Sequence, residues 1–137
     1  MEKLALGAVQ LGIPYGAANE TGMPTVDEAV EIVRVAVDSA VPFIDTAHIY
    51  GESEERIGEA FAALRTPFAD RPTVVTKLGM VDMVDPTMCP DATTAMKMVE
   101  ASVATSQERL RTETLDVVLL HNFAGHIRSS LSWRTTD

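Results

Sequence analysis

The chain is poor in cysteine, in aromatic residues and in basic residues. Its single cysteine, Cys89, can form neither an intramolecular disulfide nor a thiolate metal cluster. Lysine and arginine total 11 against 20 aspartate and glutamate residues, which gives a formal net charge of −9. Nucleic-acid surfaces carry basic patches, so we expect no nucleic-acid partner.

Long hydrophobic runs are also missing. No apolar run approaches the roughly 20 residues that a membrane span needs, and the first residues lead into a fold-like pattern without a signal peptide. We therefore expect no membrane partner and a cytoplasmic location. His48 and His126 have no further ligands at metal spacing, so no metal site is predicted.

Four short apolar runs, separated by helical patterns, are present instead. The runs are LALGA (4–8), PFID (42–45), TVVTK (73–77) and LDVVLLH (115–121). One helix is predicted to begin at Thr25, where Glu28 completes a capping-box signature, and the next at Ser53, an expected N-cap. A third is predicted from about Asp91 to Arg111. The predicted inward faces of these three helices are, in chain order, Val26, Val30, Val33 and Val37; Ile57, Ala60, Phe61 and Leu64; and Ala92, Met96, Val99, Val103 and Leu110.

The resulting order, β-α-β-α-β-α-β, predicts an α/β protein with a parallel sheet. The strand patterns are continuous rather than alternating, which indicates strands covered on both faces. Such a series fits an open doubly wound sheet or the first half of a (β/α)8 barrel, and periodicity does not separate the two. A complete barrel usually has about 250 residues, so a chain of 137 residues supplies half of one, residues 1–121, followed by an unpatterned tail, residues 122–137.

Polar residues with useful chemistry occupy the carboxyl ends of the predicted strands. Asp45 ends the second strand, Tyr50 follows in its loop, Lys77 ends the third strand and His121 ends the fourth. In either parallel architecture ligands bind at this end of the sheet, so an acid, a phenol, an amine and an imidazole are expected to converge. Each residue alone has an ordinary structural explanation; their joint placement favours function.

The chemistry of these groups fits proton transfer to a carbonyl. A free phenol is a poor proton donor at neutral pH, and a neighbouring lysine ammonium favours its ionised form. Asp45 would hold the ammonium of Lys77, and His121 would position the carbonyl oxygen. A carbonyl that receives hydride needs a proton on oxygen, and the hydride must come from a cofactor because no side chain carries one.

The motifs LGAVQLG, FIDTAHIYGESEERIGEA, VVTK and LDVVLLH resemble, in order and spacing, the N-terminal half of the aldo-keto reductases. The resemblance implies a (β/α)8 TIM barrel that reduces aldehydes or ketones with NADPH, less often NADH. The family's catalytic aspartate, tyrosine, lysine and histidine fall on Asp45, Tyr50, Lys77 and His121. The resemblance also places Ala8, Val9 and Gln10, together with Asp45, beside the cofactor.

Two hypotheses follow from this resemblance. In the first, the chain is an NAD(P)H-dependent oxidoreductase that acts on a small carbonyl compound, with Tyr50 as proton donor. Its cofactor binding is expected to be weak, because the family grips the cofactor mainly with loops from later β/α units. In the second, the chain is a truncated, catalytically inactive half-barrel that associates through its open sheet edges with itself or with a full-length relative.

Overall fold

The computed structural model describes residues 4–79 and 91–121 of the chain. Its elements are, in order, β1 (Ala5–Gly7), α1 (Val9–Gly12), α2 (Val26–Asp38), β2 (Phe43–Asp45), α3 (Ser53–Leu64), a 3-10 turn (Phe68–Asp70), β3 (Thr73–Leu78), α4 (Ala92–Leu110) and β4 (Val117–Leu120). The predicted alternation is present. The sequence did not predict α1 or the 3-10 turn, since each is too short to carry a periodic pattern. The predicted tail, Cys89 and His126 lie outside the described residues.

The four strands form one parallel sheet in the order β1-β2-β3-β4. Asp45 pairs with Gly7 on one side and with Val75 on the other, and Lys77 pairs with Leu119. The prediction of parallel β/α units is therefore confirmed. This register brings the carboxyl ends of neighbouring strands to one edge of the sheet, where ligands bind in such folds.

Helices cover one face of the sheet in the described part of the chain. Ile44 of β2 and Val74 of β3 pack with α2, α3 and α4 in a single apolar core. The other face is open: Phe43 is 43% exposed and Leu119 is 45% exposed. The expectation that both faces are covered is thus not met by residues 4–79 and 91–121, in which β3 alternates between buried and half-buried positions.

The helix α2 begins as its sequence predicts. The Thr25 hydroxyl accepts a hydrogen bond from the Glu28 amide, and the Glu28 carboxylate accepts one from the Thr25 amide at 2.8 Å. The latter bond lowers the pKa of Glu28, because it favours the charged carboxylate. Of the predicted inward face, Val33 is buried and Val30 and Val37 pack half-buried against the core, whereas Val26 is exposed. Ala29 and Ala36 are also buried.

The inward face predicted for α4 is confirmed at Leu110, which is buried, and is only half-buried at Val99 and Val103. Met96 and Ala92 are exposed, and the buried positions are Ser102, Ser106 and Leu110. Close packing explains the difference: the Ser102 hydroxyl accepts a hydrogen bond from the Gly79 amide at 3.2 Å. Small residues are needed where a helix approaches the backbone this closely, so the buried face carries serine rather than methionine.

None of the helices in residues 4–79 and 91–121 is long and apolar enough to cross a membrane.

Candidate active site

Lys77 and Asp45 form a partly buried ion pair where β2 and β3 end. The Lys77 ammonium donates to Asp45 Oδ1 at 2.7 Å and to the Thr46 carbonyl at 2.8 Å. The Lys77 side chain is 16% exposed and that of Asp45 is 43% exposed. Two acceptors therefore fix the ammonium where it is shielded from water, which strengthens its field on neighbouring groups.

The Tyr50 ring lies close to this ammonium and to the His121 ring. Lys77 Nζ is 5.2 Å from the centroid of the Tyr50 ring. The His121 ring meets the Tyr50 ring edge to face, with centroids 5.7 Å apart and planes at 87°. Buried His121 Nδ1 has no hydrogen-bond partner within the described part of the chain. The structure thus gathers the carboxylate, ammonium, phenol and imidazole named from the sequence at one end of the sheet.

Tyr50 stands at the end of a tight turn, residues 47–50, which we term the Tyr50 turn. The Tyr50 amide donates to the Ala47 carbonyl at 3.0 Å, closing the turn. Gly51 follows with a φ of 58°, a left-handed conformation that glycine adopts without strain. The α1 helix packs against this segment through Gly12, whose carbonyl accepts from the Glu52 amide at 3.3 Å.

Ser53 was predicted to cap α3, and this prediction is wrong. The N-cap is Glu52, without a side-chain capping bond, and Ser53 is the first helical residue. Its buried hydroxyl donates instead to the Ala8 carbonyl at 2.7 Å and hydrogen-bonds the Thr46 hydroxyl at 2.9 Å. These bonds join the segment after β1 to the segment after β2. The Ser53 hydroxyl is therefore used in this buried contact and does not cap the helix.

The residues proposed for the cofactor follow β1 directly. Ala8 is completely buried, and its amide donates to the Asp45 carbonyl at 2.8 Å. Val9 is half-buried and Gln10 is exposed, with its side-chain amide donating to the Tyr15 carbonyl at 2.9 Å. Ala8 therefore connects this segment to β2, and the surface available to a ligand belongs to Val9, Gln10 and Asp45.

Sequence reasoning missed two residues that support this site, Glu54 and Arg109. Glu54 is fully buried and lies 3.5 Å from Arg109 Nη1, which also donates to the His48 carbonyl at 3.1 Å. An acid in a first helical turn and a cation in a last turn are explained adequately by the helix dipole. The available signal was the Ser53-Glu54 pair that follows Tyr50-Gly51-Glu52, and this pair alone does not indicate the contact with Arg109.

Two curated relatives are similar to most of this chain. A D-threo-aldose 1-dehydrogenase from Pseudomonas sp. is 31% identical over 147 residues, which cover 89% of this chain and 44% of that protein. A D-arabinose 1-dehydrogenase from Saccharomyces cerevisiae is 32% identical over 120 residues, covering 87% of this chain and 32% of that protein. The chain thus spans less than half the length of these relatives.

Solved structures show the same relationship. A protein from Pseudomonas aeruginosa assigned to the aldo-keto reductases superposes with a TM-score of 0.63 at 30% identity. The superposition covers 87% of this chain and 42% of the Pseudomonas aeruginosa chain. An aldo-keto reductase from Bombyx mori, solved with NADP, superposes with a TM-score of 0.59 at 26% identity, covering 86% and 33%. Coverage of this extent identifies the sheet and its helices as part of a (β/α)8 barrel.

The model of the Aldo/keto reductase family matches residues 3–130, nearly the whole chain. The match includes the segments that carry Asp45, Tyr50, Lys77 and His121. The chain therefore belongs to the aldo/keto reductase family.

Proposed function

We propose that this site interconverts a carbonyl compound and an alcohol with NADPH or NADH, and that Tyr50 carries the proton. The observation that supports this most directly is the Lys77 ammonium, bound by Asp45 at 2.7 Å and 5.2 Å from the Tyr50 ring. Membership of an oxidoreductase family and the dehydrogenase relatives support the reaction class.

Each side chain then has a distinct task. Tyr50 gives its hydroxyl proton to the carbonyl oxygen during reduction and takes it back during oxidation. The Lys77 ammonium stabilises the negative charge left on the phenol oxygen, and Asp45 holds that ammonium in place. His121, whose ring meets Tyr50 at 5.7 Å between centroids, orients the carbonyl oxygen toward the phenol.

The residues around the pair fit a nicotinamide nucleotide, which supplies or removes hydride when bound. Asp45 Oδ1 is occupied by Lys77, while Oδ2 makes no hydrogen bond within residues 4–79 and 91–121. The half-exposed carboxylate can therefore accept from a ribose hydroxyl, with Val9 and Gln10 contributing the adjoining surface. NADP in the Bombyx mori structure supports the choice of cofactor. We expect weak binding, so assays require millimolar cofactor.

We propose a sugar with a carbonyl or hemiacetal carbon as the substrate class. The support is the activity named for the two relatives, which are an aldose and an arabinose dehydrogenase. A small polar carbonyl compound also suits a site whose described groups are mostly hydrogen-bonding ones. The direct assay is carbonyl-dependent oxidation of NADPH with a panel of aldoses and simple aldehydes.

Changing Asp45 to Asn is expected to lower kcat/KM by about 10²-fold, because the ammonium loses its anionic partner and the cofactor loses an acceptor. Initial rates at millimolar NADPH measure this. Asp38→Asn is the matched control, since Asp38 pairs with Arg34 on the exposed face of α2. Equal losses in the two variants would contradict a role for Asp45 in the reaction.

A second candidate function is assembly with a second copy of the chain. Val118, Leu119 and Leu120 of β4 are exposed, and an apolar groove of about 400 Å³ lies beside β1. Among the described strands, β1 and β4 are the sheet edges. A two-fold axis along the strands would place β4 of one copy beside β1 of the other with all strands parallel, giving the eight strands of a barrel.

Light scattering tests this candidate. A dimer has twice the monomer mass of 14.8 kDa. We expect Leu119→Lys to abolish the dimer, because the substitution would bury an ammonium group at the interface between the two copies. Ala18→Lys makes the same charge change at an exposed position away from the strands. A monomer that unfolds cooperatively at every concentration would contradict assembly.

A further inference from the structure

Glu54 is a fully buried carboxylate in the first turn of α3. It accepts a hydrogen bond from the Thr76 hydroxyl at 2.6 Å and forms an ion pair with Arg109 at 3.5 Å. Thr76 is the residue before Lys77 on β3, so Glu54 connects α3 to the strand that presents the ammonium. A charge removed from water requires such partners, and these two come from different elements.

Arg109 extends the connection to the Tyr50 turn. Its Nη1 donates to the His48 carbonyl at 3.1 Å, and the His48 amide donates to the Lys77 carbonyl at 3.1 Å. The backbone at His48 is thus held on one side by α4 and on the other by β3. Since His48 lies inside the turn that ends at Tyr50, both bonds restrict where the phenol can lie.

We propose that Glu54 and Arg109 are positioning residues that fix the Tyr50 turn, and with it the phenol, beside Lys77. Glu54 orients the guanidinium, and the guanidinium holds the His48 carbonyl; neither group needs to touch substrate. The expected effect on turnover rests on the proposed function. The expected effect on the position of the Tyr50 turn does not. Misplacing a reacting group by about 1 Å can cost on the order of 10²-fold in rate.

Arg111 provides a matched control at the same helix end. It forms an exposed ion pair with Glu59 at 3.0 Å, and the described part of the chain gives it no bond to the Tyr50 turn. Replacing Arg111 by Met therefore removes an arginine from the C-cap position of α4 without touching the connection between Glu54 and His48. If a cation near the end of α4 only stabilised the helix, Arg109→Met and Arg111→Met would have similar effects on the Tyr50 turn.

Nuclear magnetic resonance of the intact chain is the primary test. In Arg109→Met we expect loss of the ring-to-ring contact between Tyr50 and His121, and amide exchange at Tyr50 faster by roughly tenfold or more, with α2 unchanged. Arg109→Lys should recover part of the contact, because an ammonium can still reach the Glu54 carboxylate or the His48 carbonyl. Arg111→Met should match the unmodified chain. An intact ring contact in Arg109→Met overturns the proposal.

Kinetics with NADPH and an aldose form the second arm. In an active chain Arg109→Met should lower kcat by on the order of 10²-fold with KM changed little, because positioning affects the reacting geometry more than binding. An unchanged kcat overturns the proposal. Absence of turnover in the unmodified chain counts against the proposed function alone, and the ring contact then decides the positioning role.

Discussion

Tyr50→Phe is expected to lower carbonyl reduction by about 10²- to 10⁴-fold, the usual range for removing a general acid. The change deletes one hydroxyl and keeps the ring. The phenylalanine ring can preserve the edge-to-face contact with His121, in which the ring centroids are 5.7 Å apart. It can also preserve the contact with Lys77 Nζ, which lies 5.2 Å from the ring centroid. The loss should therefore appear in kcat, with little change in stability, and initial rates with thermal melts measure both.

Tyr15→Phe is the control for this prediction. Tyr15 is the other tyrosine of the chain, it is 56% exposed, and its side chain makes no hydrogen bond in the described part of the structure. Its turnover should equal that of the unmodified chain. A Tyr50→Phe variant that keeps more than about a tenth of the rate would mean that another group or water supplies the proton.

Gly12→Ala is expected to destabilise the fold by about 3 kcal/mol, near the upper end for overpacked sites. A Cβ at this position would lie 1.8 Å from the Tyr50 carbonyl oxygen, 2.3 Å from the Ser53 nitrogen and 2.9 Å from the Glu52 nitrogen. All three are backbone atoms, so no side chain can rotate away. Either α1 or the segment after the Tyr50 turn must move, and urea unfolding measures the free-energy cost.

Gly7→Ala is the matched substitution, because a Cβ on Gly7 meets nothing within 4 Å. Its unfolding midpoint should be unchanged or slightly higher, since alanine reduces the freedom of the unfolded chain. Equal midpoints for the two variants would show that the close packing of α1 on residues 50–53 is not a feature of the folded protein in solution.

The sequence predicts the elements of this fold that depend on local patterns. Apolar runs that end in a polar residue located the strands and placed Asp45 and Lys77 at their carboxyl ends. The Thr25 capping box located the start of α2, because both of its hydrogen bonds lie within four residues. Strand ends, loop positions and family motifs together were enough to name Asp45, Tyr50, Lys77 and His121.

Features set by tertiary contacts were not predictable in the same way. The buried face of α4 depends on how closely the helix approaches Gly79, and periodicity favoured larger apolar residues. Ser53 has the residue type of a cap, yet its hydroxyl bonds Ala8, 45 residues away in the chain. The contact between Glu54 and Arg109 spans 55 residues, and no local pattern encodes it.

Transfer of deuterium from NADPH labelled at the reactive nicotinamide carbon, measured by mass spectrometry of the alcohol product, tests the central claim most directly. With millimolar cofactor and an aldose, the unmodified chain should yield product with deuterium on the former carbonyl carbon, and Tyr50→Phe should yield almost none. Equal label in both proteins, or none from the unmodified chain, would contradict the assignment of carbonyl reduction to this site.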